Sequence, residues 1–488
     1  MIAQLWTALL LSIAVVGAGG PLARWAARGL ELPAATRVAL IPLAGLSFVG
    51  VTTLIVGHLH LLGPWLPYAL AVAGIALALV GFRDNAEPVL RGWAGVVRHV
   101  RSHPVALIAT SLALVLALIC TAAAPFRTDE IAYHWAAPVA WAEVGGWNDS
   151  PFRHVDGFPM MEIIYTAAAT QGSYVAAHLL HFISFLALGF ALAGLAGSLG
   201  VRGTGVTAAA GLAMPVVWDS SYVAYNDVPV AATTIAAAAV VMGAAHERRM
   251  HAAWLAGAII AFGVSVKPNG IVGVGVVGLM MLMRYVFERR DAASSTAGAP
   301  APRLAALVRD GVVLVVLPVA ALVFWLARQY AITGVLFAPR GTPSEDVLSR
   351  MPSTLQRVLA PLLPFVGSVI GGSEPWGGRL GIVLLLLIPA IVYAIWRRGD
   401  VLRRFSLAIV PAFAHWIVLG VRIVRTRFHI AAWGLMVIAI RIPLEDAMTR
   451  RPRLRFWLEA GWTLCILLSL VDVSIEMVRR IATLVPLG

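Results

Sequence analysis

Runs of about twenty apolar residues recur along the whole chain, and they constrain its fold more than any other feature of the sequence. A helix needs about 20 such residues to cross the hydrocarbon core of a bilayer. Charged residues make up 12% of the 488 residues, against about 25% in soluble domains. The sequence therefore predicts an all-α polytopic membrane protein without a large soluble domain.

Hydropathy predicts about fourteen transmembrane helices. We expect them near residues 3–20, 38–58, 65–82, 104–124, 174–198, 204–217, 228–245, 252–266, 270–287, 310–330, 379–396, 405–421, 428–441 and 456–475. Two long polar connections remain, at 125–173 and 331–378, and we expect amphipathic helices in both. In the second, the segment 345–363 has the apolar spacing of a helix that lies on the membrane surface.

The distribution of arginine predicts the orientation of these helices. Loops on the cytoplasmic side of a membrane carry an excess of basic residues. With the N-terminus outside, most arginines fall in inner loops and both long connections face outward. The net charge of +13 then reflects membrane topology, so membrane lipids and not nucleic acid are the expected surroundings. We expect a multi-pass protein of the bacterial cytoplasmic (inner) membrane.

The first outer connection opens with an acidic pair in FRTDEIAYHW, residues 126–135. Asp129 and Glu130 stand at the outer edge of the membrane, directly after an apolar run. On a helix, Glu130 shares a face with His134, and Asp129 shares one with Tyr133. Capping of a helix N-terminus is one interpretation of the two acids. A functional site is the other, because ionisable residues at a membrane are functional candidates.

Two more candidates lie at helix ends further along the chain. Asp227, in YNDVPV, opens a helix behind a short outward loop, where N-capping by Asn226 or Asp227 is the alternative interpretation. Lys267, in VKPNG, is the one lysine among 37 basic residues. The proline and glycine after it interrupt a helix and leave backbone groups that an anion can bind. The alternative is a plain loop lysine.

A third candidate is a cluster of arginines in VRIVRTRFHIAAW. Arg425 and Arg427 fall on the outer side, against the usual charge bias. Guanidinium groups bind phosphate well, so a phosphate site is one interpretation. Contact with anionic lipid headgroups, or a helix of opposite orientation, is the alternative.

Taken in order, these motifs resemble the GT-C superfamily of polytopic glycosyltransferases, most closely the branch of protein O-mannosyltransferases and lipid A aminoarabinose transferases. TDEIAYHWAAPVAW resembles the loop with the acidic pair, and FPMMEIIY resembles a later proline-rich segment without its tandem prolines. YNDVPVAATT resembles the segment with a second acid, VKPNG the lysine turn, and TRFHIAAW the arginine–aromatic turn before a late helix. Three additional helices precede the helix that leads into the acidic loop here, where those families usually have only that one helix.

The resemblance implies an inverting glycosyltransferase that moves a sugar from a polyprenyl-phosphate donor to a hydroxyl of a glycan, lipid or protein acceptor. It implies Asp129 as the catalytic base, with Glu130 as its partner. The implied phosphate-binding residues are Lys267, Arg427 and Arg425. The implied pocket residues are Tyr133, His134, His154, Glu162 and Asp227. No cofactor is required by this chemistry, and a divalent metal is left open.

The same resemblance divides the chain into three segments. Residues 1–103 form N-terminal transmembrane helices. Residues 104–330 form a GT-C-like catalytic core that includes the outer loop 125–173. Residues 331–488 form a variable C-terminal transmembrane module.

Two other functions remain open at this stage. A polysaccharide polymerase or ligase with a polyprenyl-pyrophosphate donor would share the membrane fold, but would depend on arginine and histidine and not on an Asp-Glu pair. A secondary transporter predicts charges near helix midpoints and repeats between the two halves. Here most acids lie at the outer helix ends, and no such repeat is evident.

Overall fold

The computed structural model describes residues 1–80, 103–147, 157–294, 303–336, 379–420 and 426–482. Within these ranges the chain is helical and has no β-strand. The predicted surface helix at 345–363 lies outside them, as do His154 and Arg425.

The α-helices are named here in chain order. They are α1 (Ile2–Ala26), α2 (Ala34–His58), α3 (Leu66–Val80), α4 (Pro104–Cys120), α5 (Ala136–Val144), α6 (Met160–Ala169), α7 (Tyr174–Ser198), α8 (Thr204–Leu212), α9 (Pro215–Trp218), α10 (Asp227–Gly243), α11 (Arg249–Val266), α12 (Val272–Ser294), α13 (Leu304–Thr333), α14 (Leu387–Arg397), α15 (Gly399–Gly420), α16 (Ile430–Arg450) and α17 (Pro452–Ala482).

Nine helical segments in the described part of the chain are long and apolar enough to cross a membrane. They contain α1, α2, α7, α11, α12, α13, α15, α16 and α17. Shorter apolar helices accompany them, among them α3, α4 and α10. These segments confirm a helical, multi-pass membrane architecture. The count of fourteen and the GT-C core stay predictions.

The predicted helix at 204–217 is broken in the structure. Its first part, α8, ends at Leu212, and α9 begins at Pro215. A proline disfavours helical conformation in the residue before it, and Met214 is extended, with ψ at 126°. The chain therefore turns inside the protein, and the mostly buried residues 219–226 lead into α10.

Glycines allow α1, α2 and α3 to pack closely. A Cβ atom on Gly45 would lie 1.9 Å from the carbonyl oxygen of Val15, and one on Gly19 would lie 2.0 Å from that of Ile41. Small residues at such crossings let helix backbones approach each other in membrane proteins. The N-terminal helices are thus held by backbone-to-backbone contact.

Helix α6 is buried on every side, although it belongs to the first outer connection. All ten of its residues are buried, and it packs against α2, α5 and α7. It carries Glu162 into the interior. The segment FPMMEIIY, which was predicted only by its resemblance to a proline-rich segment, is therefore part of the core.

Candidate functional site

Four charged side chains from distant parts of the sequence form an alternating chain at one end of the helix bundle. The Asp129 carboxylate pairs with the Arg427 guanidinium. Arg427 Nε lies 3.5 Å from Asp227 Oδ2. Lys267 Nζ donates a hydrogen bond to Asp227 Oδ1 over 2.5 Å. The structure thus brings together two predicted carboxylates and two predicted cations.

Interrupted helices place these side chains. Lys267 follows α11 in extended conformation, because Pro268 comes next and opens a short 3-10 turn, Pro268–Ile271. Arg427 belongs to a second 3-10 turn, Thr426–His429, which leads into α16. The first turn ends α11 and the second precedes α16, and the two turns place Lys267 and Arg427 at the same end of the bundle.

The two acids also stand at irregular helix starts. Asp129 precedes a π-helical turn, Glu130–His134, a conformation that is frequent at functional sites. Asp227 is the first residue of α10. Neither Asp129 nor Asn226, the two residues at the N-cap positions, makes a side-chain capping hydrogen bond. The acids are therefore engaged by cations and not by helix capping.

Two aromatic rings hold the cations in place. The guanidinium carbon of Arg427 lies 4.9 Å from the centroid of the Tyr225 ring, and Lys267 Nζ lies 3.9 Å from that of Phe428. Contacts of this geometry contribute about 0.5–2 kcal/mol each. Neither ring was predicted from the sequence. Both stand within two residues of a predicted site residue, in motifs that were already singled out.

The four charged side chains differ in their exposure to the surroundings. The side chain of Asp129 is 26% exposed and that of Lys267 is 22% exposed. Asp227 is only 3% exposed. An external molecule can thus reach Asp129 and Lys267, whereas Asp227 is buried and pairs with both Lys267 and Arg427.

Glu130 points away from Asp129 into the protein interior. It is fully buried and accepts hydrogen bonds from His178 Nε2 at 2.5 Å and from the backbone N–H groups of Ala224 and Phe126. Burial alone would raise the pKa of Glu130, but the bonds from His178 and the backbone lower it to about 2. Glu130 therefore joins the acidic loop to α7 and to the 219–226 turn as a carboxylate.

Both ring nitrogens of His178 have partners. Its Nδ1 lies 3.0 Å from the carbonyl oxygen of Thr121, and Nε2 faces the Glu130 carboxylate. His178 therefore connects the end of α4 to the acidic loop through hydrogen bonds on both sides of its ring.

The predicted pocket residues Tyr133, His134 and Glu162 form a layer behind the charged chain. His134 Nδ1 lies 2.5 Å from Glu162 Oε1, and both side chains are buried. The His134 ring also lies 5.4 Å from that of Tyr225, which contacts Arg427. Burial, and after it the Asp129 carboxylate, raise the pKa of Tyr133 above its ordinary value. This layer fixes the position of Tyr225 and Arg427.

The described residues do not assemble a metal site. Among them, no group of three histidine, cysteine, aspartate or glutamate side chains is arranged to hold an ion. Asp129 and Asp227 face cations, and Glu130 faces three donors. Two of the residues predicted for the site, His154 and Arg425, lie outside the described ranges.

Comparison of the chain with protein-family models, with curated proteins and with solved structures finds no match. The residues of the site and their geometry carry the functional proposal that follows.

Proposed function

We propose that this protein is an integral membrane glycosyltransferase that moves a sugar from a polyprenyl-phosphate donor to an acceptor hydroxyl. The observation that carries the proposal is the chain Asp129–Arg427–Asp227–Lys267 at one end of an apolar helix bundle. The bundle suits a donor whose lipid tail lies in the bilayer. The two cations suit its phosphate, and the exposed carboxylate suits a base.

The cations keep hydrogen-bond donors for a phosphate. A guanidinium has five N–H donors and an ammonium has three. Arg427 directs two of its nitrogens at carboxylates and also hydrogen-bonds the Tyr225 hydroxyl, and Lys267 directs one N–H at Asp227. The remaining donors can bind phosphate oxygens. They would stabilise the negative charge that develops on the phosphate as the sugar leaves.

Asp129 is the proposed general base. It takes the proton of the acceptor hydroxyl while the acceptor oxygen forms a bond to the anomeric carbon of the sugar. The bond from that carbon to the phosphate oxygen breaks, and its electron pair stays on the phosphate. The ion pair with Arg427 holds the Asp129 carboxylate in a fixed position.

Asp227 is a positioning residue in this proposal. Arg427 and Lys267 both lie within 3.5 Å of its oxygens, so they are close enough to repel each other. Its buried carboxylate offsets that repulsion and keeps both cations together when no donor is bound.

We also propose the side of the membrane on which the sugar is transferred. The arginine distribution predicts that the Asp129 end of the bundle faces the periplasm or the exterior of a bacterial inner membrane. Lipid-linked sugar donors on that side would meet acceptors that have already left the cytoplasm.

The test is transfer by the purified protein from a panel of radiolabelled polyprenyl-phosphate sugars to a membrane extract as the source of acceptor. We expect one donor to be used, and we expect Asp129→Asn to lose transfer while its melting temperature stays near that of the wild type. Glu143→Gln is the matched control, because Glu143 is an exposed acid of the same loop. It should leave transfer unchanged.

Full activity of Asp129→Asn would exclude Asp129 as the base. Transfer from pyrophosphate-linked donors only would favour a polymerase or ligase. No transfer from any donor in the panel would contradict the proposal as a whole.

A further inference from the structure

A second cluster of charges lines a pocket at the other end of the bundle. The pocket has a volume of about 80 Å³ and lies between the end of α10, the start of α11, the middle of α12 and the start of α13. A single buried water needs only about 10–15 Å³ of such volume, so a larger polar group fits. The basic side chains in its wall are His246, Arg249, Arg284, Arg303 and Arg309.

This pocket is remote from the proposed active site. Helix α11 begins at Arg249 beside the pocket and ends next to Lys267 at the other site. Its 18 residues span roughly 27 Å at 1.5 Å per residue. A molecule bound here would therefore be separate from the sugar donor, and the inference does not depend on the proposed function.

The ion pairs of the pocket leave an excess of positive charge. Arg249 and Arg284 share one carboxylate, that of Glu288, with Arg284 Nε 2.9 Å from Glu288 Oε1. Arg309 binds the buried carboxylate of Asp310 at 2.8 Å. With Arg303, which is exposed at the pocket wall, four guanidiniums face two carboxylates. The pocket therefore attracts an anion.

An apolar groove follows the charged pocket along α13. All of its lining belongs to that helix, and it begins at Gly311, the residue after Asp310. Its further lining is Val312, Val315, Val316, Val319, Ala320, Val323 and Phe324. A Cβ atom on Gly311 would meet nothing within 4 Å, so the first residue of the groove is uncovered.

We propose that the pocket and groove bind one anionic phospholipid, with the phosphate of its headgroup among the arginines and an acyl chain along α13. A free phosphate would use the pocket alone, and a zwitterionic lipid would bring no net charge to the surplus of arginine. The arginine distribution predicts that this end faces the cytoplasm, where anionic lipids attract basic groups near the membrane surface.

The test is native mass spectrometry of the purified full-length protein after exchange into detergent with equal amounts of phosphatidylglycerol and phosphatidylcholine. We expect one phosphatidylglycerol to be retained in preference to phosphatidylcholine. Arg303→Gln should lower that retention about fivefold, the effect of one basic residue near a membrane surface. Arg453→Gln, which changes an exposed arginine at the same bundle end, should not.

A second variant tests the groove without disturbing the charges. Gly311→Leu places a side chain at the start of the groove and should also lower retention, whereas Gly461→Leu, at an equally open site on α17, should not. Arg309 is unsuitable for substitution, because the buried Asp310 would lose its partner.

Three results would overturn the proposal. The first is equal retention of both lipids by the wild type. The second is unchanged retention in both Arg303→Gln and Gly311→Leu. The third is displacement of the lipid by an excess of glycerol phosphate, which would show that the pocket binds free phosphate and that the groove takes no part.

Discussion

Replacing Glu130 by glutamine should destabilise the protein at neutral pH, although the two side chains have nearly the same shape. The carboxylate accepts bonds from His178 Nε2 and the Ala224 N–H on one oxygen, and from the Phe126 N–H on the other. An amide has a single acceptor oxygen. One of the three donors would therefore face an NH₂ group and lose its partner inside the protein.

Two estimates of the size of this effect agree. Loss of a hydrogen bond to a charged group costs about 1.5–3 kcal/mol. The pKa gives a second value. Burial acts to raise it, but the bonds from His178 and the backbone lower it from 4.5 to about 2. At about 1.4 kcal/mol per pKa unit, that shift corresponds to roughly 3 kcal/mol of stability at neutral pH.

The sign of the pH dependence follows from the lowered pKa of Glu130. The stabilisation is fully present above the unfolded value of 4.5 and is lost as pH falls through about 2. The difference in stability between wild type and Glu130→Gln should therefore shrink to roughly half at about pH 3. Protonation of the wild-type side chain removes the same charge that the substitution removes.

The assay is unfolding of the purified proteins in detergent, followed by tryptophan fluorescence at neutral pH and at about pH 3. Glu143→Gln, in the same loop but exposed, should match the wild type at both. Equal stability of Glu130→Gln and wild type at neutral pH would refute the reasoning. So would a difference of the same size at both pH values.

Two further predictions concern the packing around the site and in the N-terminal helices. His134→Phe leaves the buried Glu162 side chain without its imidazole partner and should cost about 3 kcal/mol or more in denaturant unfolding. Adding Glu162→Leu should recover part of that loss, and no recovery would argue against the contact between His134 and Glu162. Gly45→Ala should lower the melting temperature, because its Cβ would lie 1.9 Å from the carbonyl oxygen of Val15. The control Gly275→Ala, whose Cβ meets nothing within 4 Å, should leave the melting temperature unchanged or raise it. A melting temperature for Gly45→Ala equal to that of the wild type would mean that α1 and α2 are less closely packed.

The convergence of Asp129, Lys267 and Arg427 could be predicted because membrane spans alternate in direction. Polar residues at the same end of alternating helices share one membrane side, and an apolar bundle offers them few partners except each other. The role of Asp227 as the carboxylate shared by Lys267 and Arg427 could not be predicted. It depends on how α10, α11 and α16 pack, and nothing in the sequence spacing fixes that.

The divergence of Asp129 and Glu130 was likewise predictable from helical spacing, but the partners of Glu130 were not. His178 stands 48 residues away on α7, and Ala224 contributes only a backbone N–H. Such a group carries no side-chain signal. Hydrogen bonds of this kind are visible only once the loop and the helix have been placed in space.

Hydropathy measures apolar character and not the continuity of the backbone. It therefore predicted one helix over 204–217, where Pro215 separates two short ones. It also gave no helix for residues 160–169, because ten residues are too few to cross a bilayer. That helix is buried because α2, α5 and α7 surround it, which is a property of the packed bundle.

The most direct test of the account is equilibrium binding of a radiolabelled polyprenyl phosphate to wild type and to Lys267→Met. In the variant, Asp227 keeps Arg427 as a counter-charge at 3.5 Å, so the site should stay folded. The account predicts at least about a tenfold loss of affinity, equivalent to ~1.4 kcal/mol. Arg303→Gln, at the opposite end of the bundle, should bind as the wild type does. Unchanged affinity in Lys267→Met, or binding of the uncharged polyprenol as tight as that of its phosphate, would contradict the account.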